Sequence, residues 1–131
     1  MSARNELSDA EFERLLQFRD GLRQFLRWSE GEAKRSGLTP AQHQLLLAIR
    51  GHGGAPSVGE VADHLLLRHH SVVELVDRAG EAGLVRRIAD REDHRVVRLA
   101  LTAAGERKLA ALAAAHLDEL PRFAELVRLV S

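Results

Sequence analysis

Five arginines, Arg86, Arg87, Arg91, Arg95 and Arg98, fall within 13 residues, with His94 beside them and Asp90, Glu92 and Asp93 interleaved. A guanidinium is a planar, permanently charged fork of donors that fits phosphate oxygens and the edge of guanine. Such a cluster can neutralise itself as an inert surface turn. It can also act: Asp93 can orient Arg95 by a charge-assisted hydrogen bond while that arginine enters a minor groove, where narrow A·T tracts concentrate negative potential. A second group lies upstream. In Leu65-Leu66-Leu67-Arg68-His69-His70-Ser71 a turn runs into a helix that begins with Arg68, His69, His70 and Ser71 and carries Val73, Glu74 and Arg78 on later turns. Arg68 can fork onto guanine, the histidines and Ser71 can bond bases or phosphates, and Val73 can meet a thymine methyl. Glu74 repels phosphate unless it accepts from cytosine or pairs with an arginine. The plain alternative for this group is a solvated helix start.

These side chains need elements to position them. Ser57-Val58-Gly59-Glu60 has the capping-box pattern and predicts a short helix to about Leu65. The next helix is expected from about His69 to Ala82 on the apolar positions Val72, Val73, Leu75, Val76 and Ala79, with Gly83 as its stop. Leu84–Ala89 and Val96–Leu101 read as strands, which makes Asp90–Arg95 the tip of a hairpin. A short strand near Ala55–Ser57 is expected to add a third edge. Upstream, Ser8-Asp9-Ala10-Glu11 caps a long helix to about Ser36, with Leu7 and Phe12 as its hydrophobic staple. Thr39-Pro40-Ala41-Gln42 opens a second helix that ends at Gly51-His52-Gly53-Gly54. Downstream, Thr102 caps an Ala-rich helix, Pro121 breaks or restarts it, and a tail helix carries Phe123, Leu126, Val127, Leu129 and Val130. The fold class is therefore mainly α with a small β-hairpin (α+β), a single winged helix-turn-helix domain over residues 1–131. The helix-turn-helix occupies about 57–83, the wing about 84–101, and flanking helices about 8–36 and 103–130.

Composition narrows the function classes. Nineteen basic and nineteen acidic side chains give a net charge of zero, which counts mildly against a nucleic-acid binder. Seventeen of the basic residues are Arg and only Lys34 and Lys108 are Lys, which counts the other way. With no Cys there is no disulfide framework or thiolate metal site. No apolar run is long enough for a membrane span and no signal core opens the chain, so the expected location is cytoplasmic.

Several blocks in this order resemble the MarR (multiple-antibiotic-resistance regulator) family of bacterial transcription factors. They are Leu38-Thr39-Pro40-Ala41-Gln42, Leu75-Val76-Asp77-Arg78 with Gly83-Leu84-Val85, and Asp90-Arg91-Glu92-Asp93-His94-Arg95 running into Leu101-Thr102 and Gly105. The resemblance implies an obligate homodimer joined through its N- and C-terminal helices, palindromic double-stranded DNA operators, and Arg95 in the minor groove. The DNA-facing set is then Arg68, His69, His70, Ser71, Val73, Glu74, Arg78, Arg91, Asp93, His94 and Arg95. The chain departs from the family pattern at Leu66, where a small residue is common, at Ala79-Gly80, often Leu-Glu, and at His94, commonly Arg. Family members often bind a small aromatic or anionic effector between the dimer helices and the DNA-binding lobe. Arg27, Trp28, His43 and His52 are the candidates here, with Trp28 as plain core or interface the alternative. Independently of the resemblance, the apolar stripe of the first helix and the apolar tail exceed what a monomer leaves wet.

Two other readings stand beside this one. Seven His suggest a metal-responsive regulator, but no pair sits at i, i+4 on one helix face and no Cys joins them, so no metal ligand, cofactor or catalytic residue is assigned. Gly51-His52-Gly53-Gly54 lacks the nucleophile or Walker context that an enzyme needs. Zero net charge and Glu74 keep open a winged helix that binds protein instead of DNA.

Overall fold

A computed structural model describes residues 6–129. Helix α1 (Asp9–Arg35) begins where the Ser8 hydroxyl accepts from the Glu11 N–H and the Glu11 carboxylate accepts from the Ser8 N–H. The same reciprocal box, Thr39 with Gln42 and Ser57 with Glu60, opens α2 (Pro40–Gly51) and α3 (Val58–Leu65). Then come α4 (His69–Glu81), β1 (Val85–Ala89), β2 (Val97–Leu101), α5 (Ala103–Phe123) and α6 (Glu125–Arg128). The strands pair antiparallel, Val85 against Leu101 and Ala89 against Val97.

Three expectations need correction. The third edge is not a strand: Ser57 makes one bridge to Arg98, and the Leu99 N–H donates to Pro56 O at 2.8 Å. Pro121 does not break α5, which runs on to Phe123. A proline removes one bond, to the carbonyl four residues back, and α5 continues for only two residues beyond it. The tail helix is correspondingly short, since Phe123 belongs to α5. Val130 lies outside the described residues, as does the side chain of Val127.

The core gathers where α2, α4, the hairpin and α5 meet, on Leu45, Leu46, Ile49, Val72, Val76, Leu99 and Leu112, with Val61 of α3. Gly105 is required there, because a Cβ on it would stand 2.2 Å from the Leu84 carbonyl oxygen. Gly83 takes φ 73°, the left-handed turn that ends α4 and aims the chain into the hairpin. The long α1 takes little part in this core and buries only Ala33. Phe12, Leu15 and Leu16 on α1 and Leu117 on α5 stay more than half exposed, at 57%, 61%, 58% and 66%.

Candidate nucleic-acid interface

Helices α1, α2, α3 and α5 each begin on a Ser or Thr whose hydroxyl accepts a backbone N–H, namely Ser8, Thr39, Ser57 and Thr102. Helix α4 does not. Its N-cap is Arg68, in extended conformation, and no side chain caps it. Its first N–H groups therefore keep their partial positive charge, the condition under which a helix start receives phosphate. Arg68, His69 and His70 are exposed around this start, while Ser71 and Val73 are half-buried. Val72, Val76 and Ala79 face the core. By the helical repeat, His70, Glu74, Asp77 and Glu81 line the opposite face. The outer face thus turns acidic along its length, past the first turn. Glu74 and Arg78, both exposed, lie beyond that point.

The wing tip is built from the inside. Asp90 Oδ2 accepts the N–H groups of Glu92 (3.1 Å) and Asp93 (2.9 Å), closing the turn. Asp93 then holds Arg95 three times: Oδ1 accepts its backbone N–H (3.0 Å) and Nε (3.1 Å), and Oδ2 accepts Nη2 (3.3 Å). The arginine side chain nonetheless remains 90% exposed. It is oriented and available at once. Arg98 beside Asp90, and Arg95 beside Asp93, hold these carboxyls below their ordinary values, with tip N–H groups adding to each effect. Arg91 and His94 are exposed at the tip, and among the described residues Arg91 makes no ion pair.

Four of the five arginines of the cluster divide by role. Arg87 pairs with Asp77 of α4. Arg98 donates from Nε to Asp90 Oδ1 (2.8 Å) and from Nη1 to Ala55 O (3.1 Å) and Glu60 Oε1 (3.4 Å). These two brace the hairpin against the helices, whereas Arg91 and Arg95 point outwards from its end. Between α4 and the wing lies a cleft of about 490 Å³ floored by Val58, Val73, Val76, Val96 and Val97. His69 stands on one side of it and Arg95 on the other.

The expected effector residues do not converge on one site. Trp28 and His43 both pack on His116, with ring centroids 4.8 and 4.9 Å away. Phe25 and Phe123 complete this aromatic cluster. His116 Nδ1–H donates to Leu112 O (2.8 Å), so in the neutral ring Nε2 accepts from the Ser29 hydroxyl at 2.7 Å. Burial, and then the neighbouring His116, lower the pKa of His43. Arg27 is exposed. His52 lies at the far end of α2, with Nδ1 2.9 Å from His64 Nε2 and Nε2 3.0 Å from Glu60 Oε2. Among the described residues, no group of three or more His, Asp, Glu or Cys side chains is disposed to hold a metal.

Residues 36–96 match the family model described as MarR family. An HTH-type transcriptional repressor, MdtR of Bacillus subtilis, is 32% identical over 75 residues, or 57% of this chain. The match spans about half of that repressor's length (48%). A MarR family protein from Bacillus stearothermophilus is 27% identical with a TM-score of 0.73, over 93% of this chain and 81% of that one. A mutant of MepR from S. aureus, bound to an oligodeoxyribonucleotide, shares the fold at 18% identity and a TM-score of 0.68, over 89% and 81% of the two chains. The capped α3, the turn into α4 and the hairpin tip all fall inside residues 36–96, and the solved structures extend the chain's likeness to the MarR family to the flanking helices.

Proposed function

We propose that this protein is a DNA-binding transcription regulator that acts as a homodimeric repressor on palindromic operators. The observation that carries the reading is the pairing of an uncapped, basic helix start with an exposed arginine already held in place, on opposite sides of one cleft. The start of α4 enters a major groove and Arg95 reaches the adjacent minor groove, with the intervening sugar-phosphate strand between them. Affinity comes from Arg and backbone N–H contacts to phosphate, and sequence preference from Arg68, His69, His70 and Val73. The repressor named among its relatives and the oligodeoxyribonucleotide-bound MepR support the same reading.

The dimer follows from the exposed apolar residues of α1 and α5, a helix pair that a second copy can cover. A two-fold dimer places the two α4 helices about 34–36 Å apart, one turn of DNA. A small effector that parts the Trp28–His116–His43 stack would shift α1 and α5 against α2, and so the spacing of the two readers. The acidic stripe Glu74, Asp77 and Glu81 favours a protein partner as the second reading. Selection from a random duplex pool tests the proposal, followed by titration at several salt concentrations and light scattering for mass. An enriched palindrome, a steep salt dependence and a dimeric mass are expected. Failure to enrich any duplex, or a salt-independent affinity, would favour the protein partner.

A further inference from the structure

Arg98 belongs to the arginine cluster by position but not by direction. It lies on β2, paired across the hairpin with Ile88, and its guanidinium turns back towards α3 instead of out towards the tip. Three acceptors surround it. Asp90 Oδ1 is at the base of the tip, Ala55 O is in the loop before α3, and Glu60 Oε1 is in the first turn of α3. Each continues a chain of bonds. Asp90 uses its other oxygen to hold the N–H groups of Glu92 and Asp93, and Asp93 holds Arg95. Glu60 completes the capping box with Ser57 and accepts from His52 at 3.0 Å, so it is fixed from the helix side. The backbone runs parallel to this side-chain path, through the Ser57–Arg98 bridge and the Leu99 N–H to Pro56 O bond.

Arg87–Asp77 and the backbone bonds hold the body of the hairpin, and Arg98 is the side chain that ties the base of its tip to α3. A hairpin alone is marginally stable, and a groove contact needs its donor placed within about half an ångström. Resting on the DNA-binding reading above, we propose that Arg98 is the positioning residue of the wing: it touches no DNA and sets where Arg95 stands relative to α4. Its fork is what the role needs, since one planar group reaches the tip, the loop and α3 together. A lysine at this position can satisfy one of the three acceptors well.

The test uses the full chain and a labelled duplex carrying the palindrome that the wild type selects. Arg98→Gln should weaken binding about tenfold, the loss of one well-placed groove contact. It should leave the slope of log affinity against log salt unchanged, because no phosphate contact goes. Arg95→Ala should give a loss of the same size. In the Arg95→Ala background, Arg98→Gln should cost twofold or less, because the arginine it positions is already absent. Arg98→Lys should fall between wild type and Arg98→Gln. Hydrogen exchange at the Glu92 and Asp93 amides should quicken in Arg98→Gln while the α4 amides keep their protection. Equal losses in both backgrounds would mark general destabilisation, a lowered salt slope would mark a direct phosphate contact, and either overturns the proposal. A wild type that selects no duplex overturns the DNA-binding reading itself, before Arg98 is tested.

Discussion

The start of α4 and the tip of the wing face the same cleft, and they are built in opposite ways. The helix start is left bare: no hydroxyl caps it, and its N–H groups, Arg68, His69 and His70 face outwards. The wing tip is satisfied from within, for Asp90 closes its turn and Asp93 holds Arg95 from two oxygens. A helix has its own rigidity from the i to i−4 ladder, so its end can stay unsatisfied and still be in the right place. A hairpin end has no such ladder and must spend its carboxylates on order. The two regions therefore respond to substitution in opposite directions.

The largest expected effect tests the bare end. Arg68→Asp gives α4 the cap that the other long helices have, and should stabilise the fold by about 1 kcal/mol. The same change removes a guanidinium and places a carboxylate at the helix start proposed to receive phosphate, so DNA affinity should fall about a hundredfold or more. A melting temperature that rises while binding collapses is the signature. A parallel fall of both would mean that Arg68 holds the structure, and the contrast between the regions would fail.

At the wing, Arg95→Ala should reduce affinity about tenfold and leave the melting temperature and the mass in solution unchanged, since the side chain is nearly all in solvent. Unchanged affinity by fluorescence anisotropy would remove Arg95 from the interface.

Much of this contrast is legible in the sequence. The capping boxes at Ser8, Thr39 and Ser57 mark helix starts because their reciprocal bonds span only three residues. The Asp93–Arg95 pair is legible too, as opposite charges two residues apart that can form a charge-assisted bond. What sequence could not supply were bonds between distant elements. Arg98 to Glu60, Arg87 to Asp77 and His52 to His64 join helices to strands or loops to helices. Nothing in a row of five arginines says which two turn inwards. The lack of a cap on α4 was visible, because Arg68 stands where Ser or Thr stands elsewhere; only beside four capped helices does it become a feature. Pro121 misled for a local reason, since a proline near a helix end resembles one that ends it.

Acid should separate the regions more gently. Asp90 and Asp93 have folded pKa values below their ordinary ones, so the order they supply is present above the usual carboxylate range, near 4, and is lost as pH falls through the lowered values. Hydrogen exchange down a pH series, corrected for intrinsic rates, should show the tip amides losing protection while the uncapped start of α4 changes little. His43 acts in a higher window. Its lowered pKa means the unfolded chain binds the proton more readily, so its contribution is intact above about 6.5 and declines as pH drops below that towards the folded value. His43→Leu should flatten the melting curve's dependence on pH in that window, and a slope equal to the wild type's would assign the effect elsewhere.

The smallest effect concerns the turn that delivers the chain to α4. Leu66 sits in the left-handed region at φ 56°, ψ 40°, and is 91% exposed. That conformation costs a non-glycine residue roughly 1–2 kcal/mol, whereas glycine enters it freely but loses about 0.5–1 kcal/mol more backbone entropy on folding. Almost no burial is at stake, so the difference should appear as a gain of up to about 1 kcal/mol for Leu66→Gly, read as a rise of a few degrees in melting temperature. Leu66→Ala keeps the strain and should not show it. If Leu66→Gly is stabilised with DNA affinity intact, the rigidity that places the bare helix start resides in α4 itself. If affinity falls while stability rises, the strained turn is part of what aims α4, and the helix end is less self-sufficient than its lack of a cap suggests.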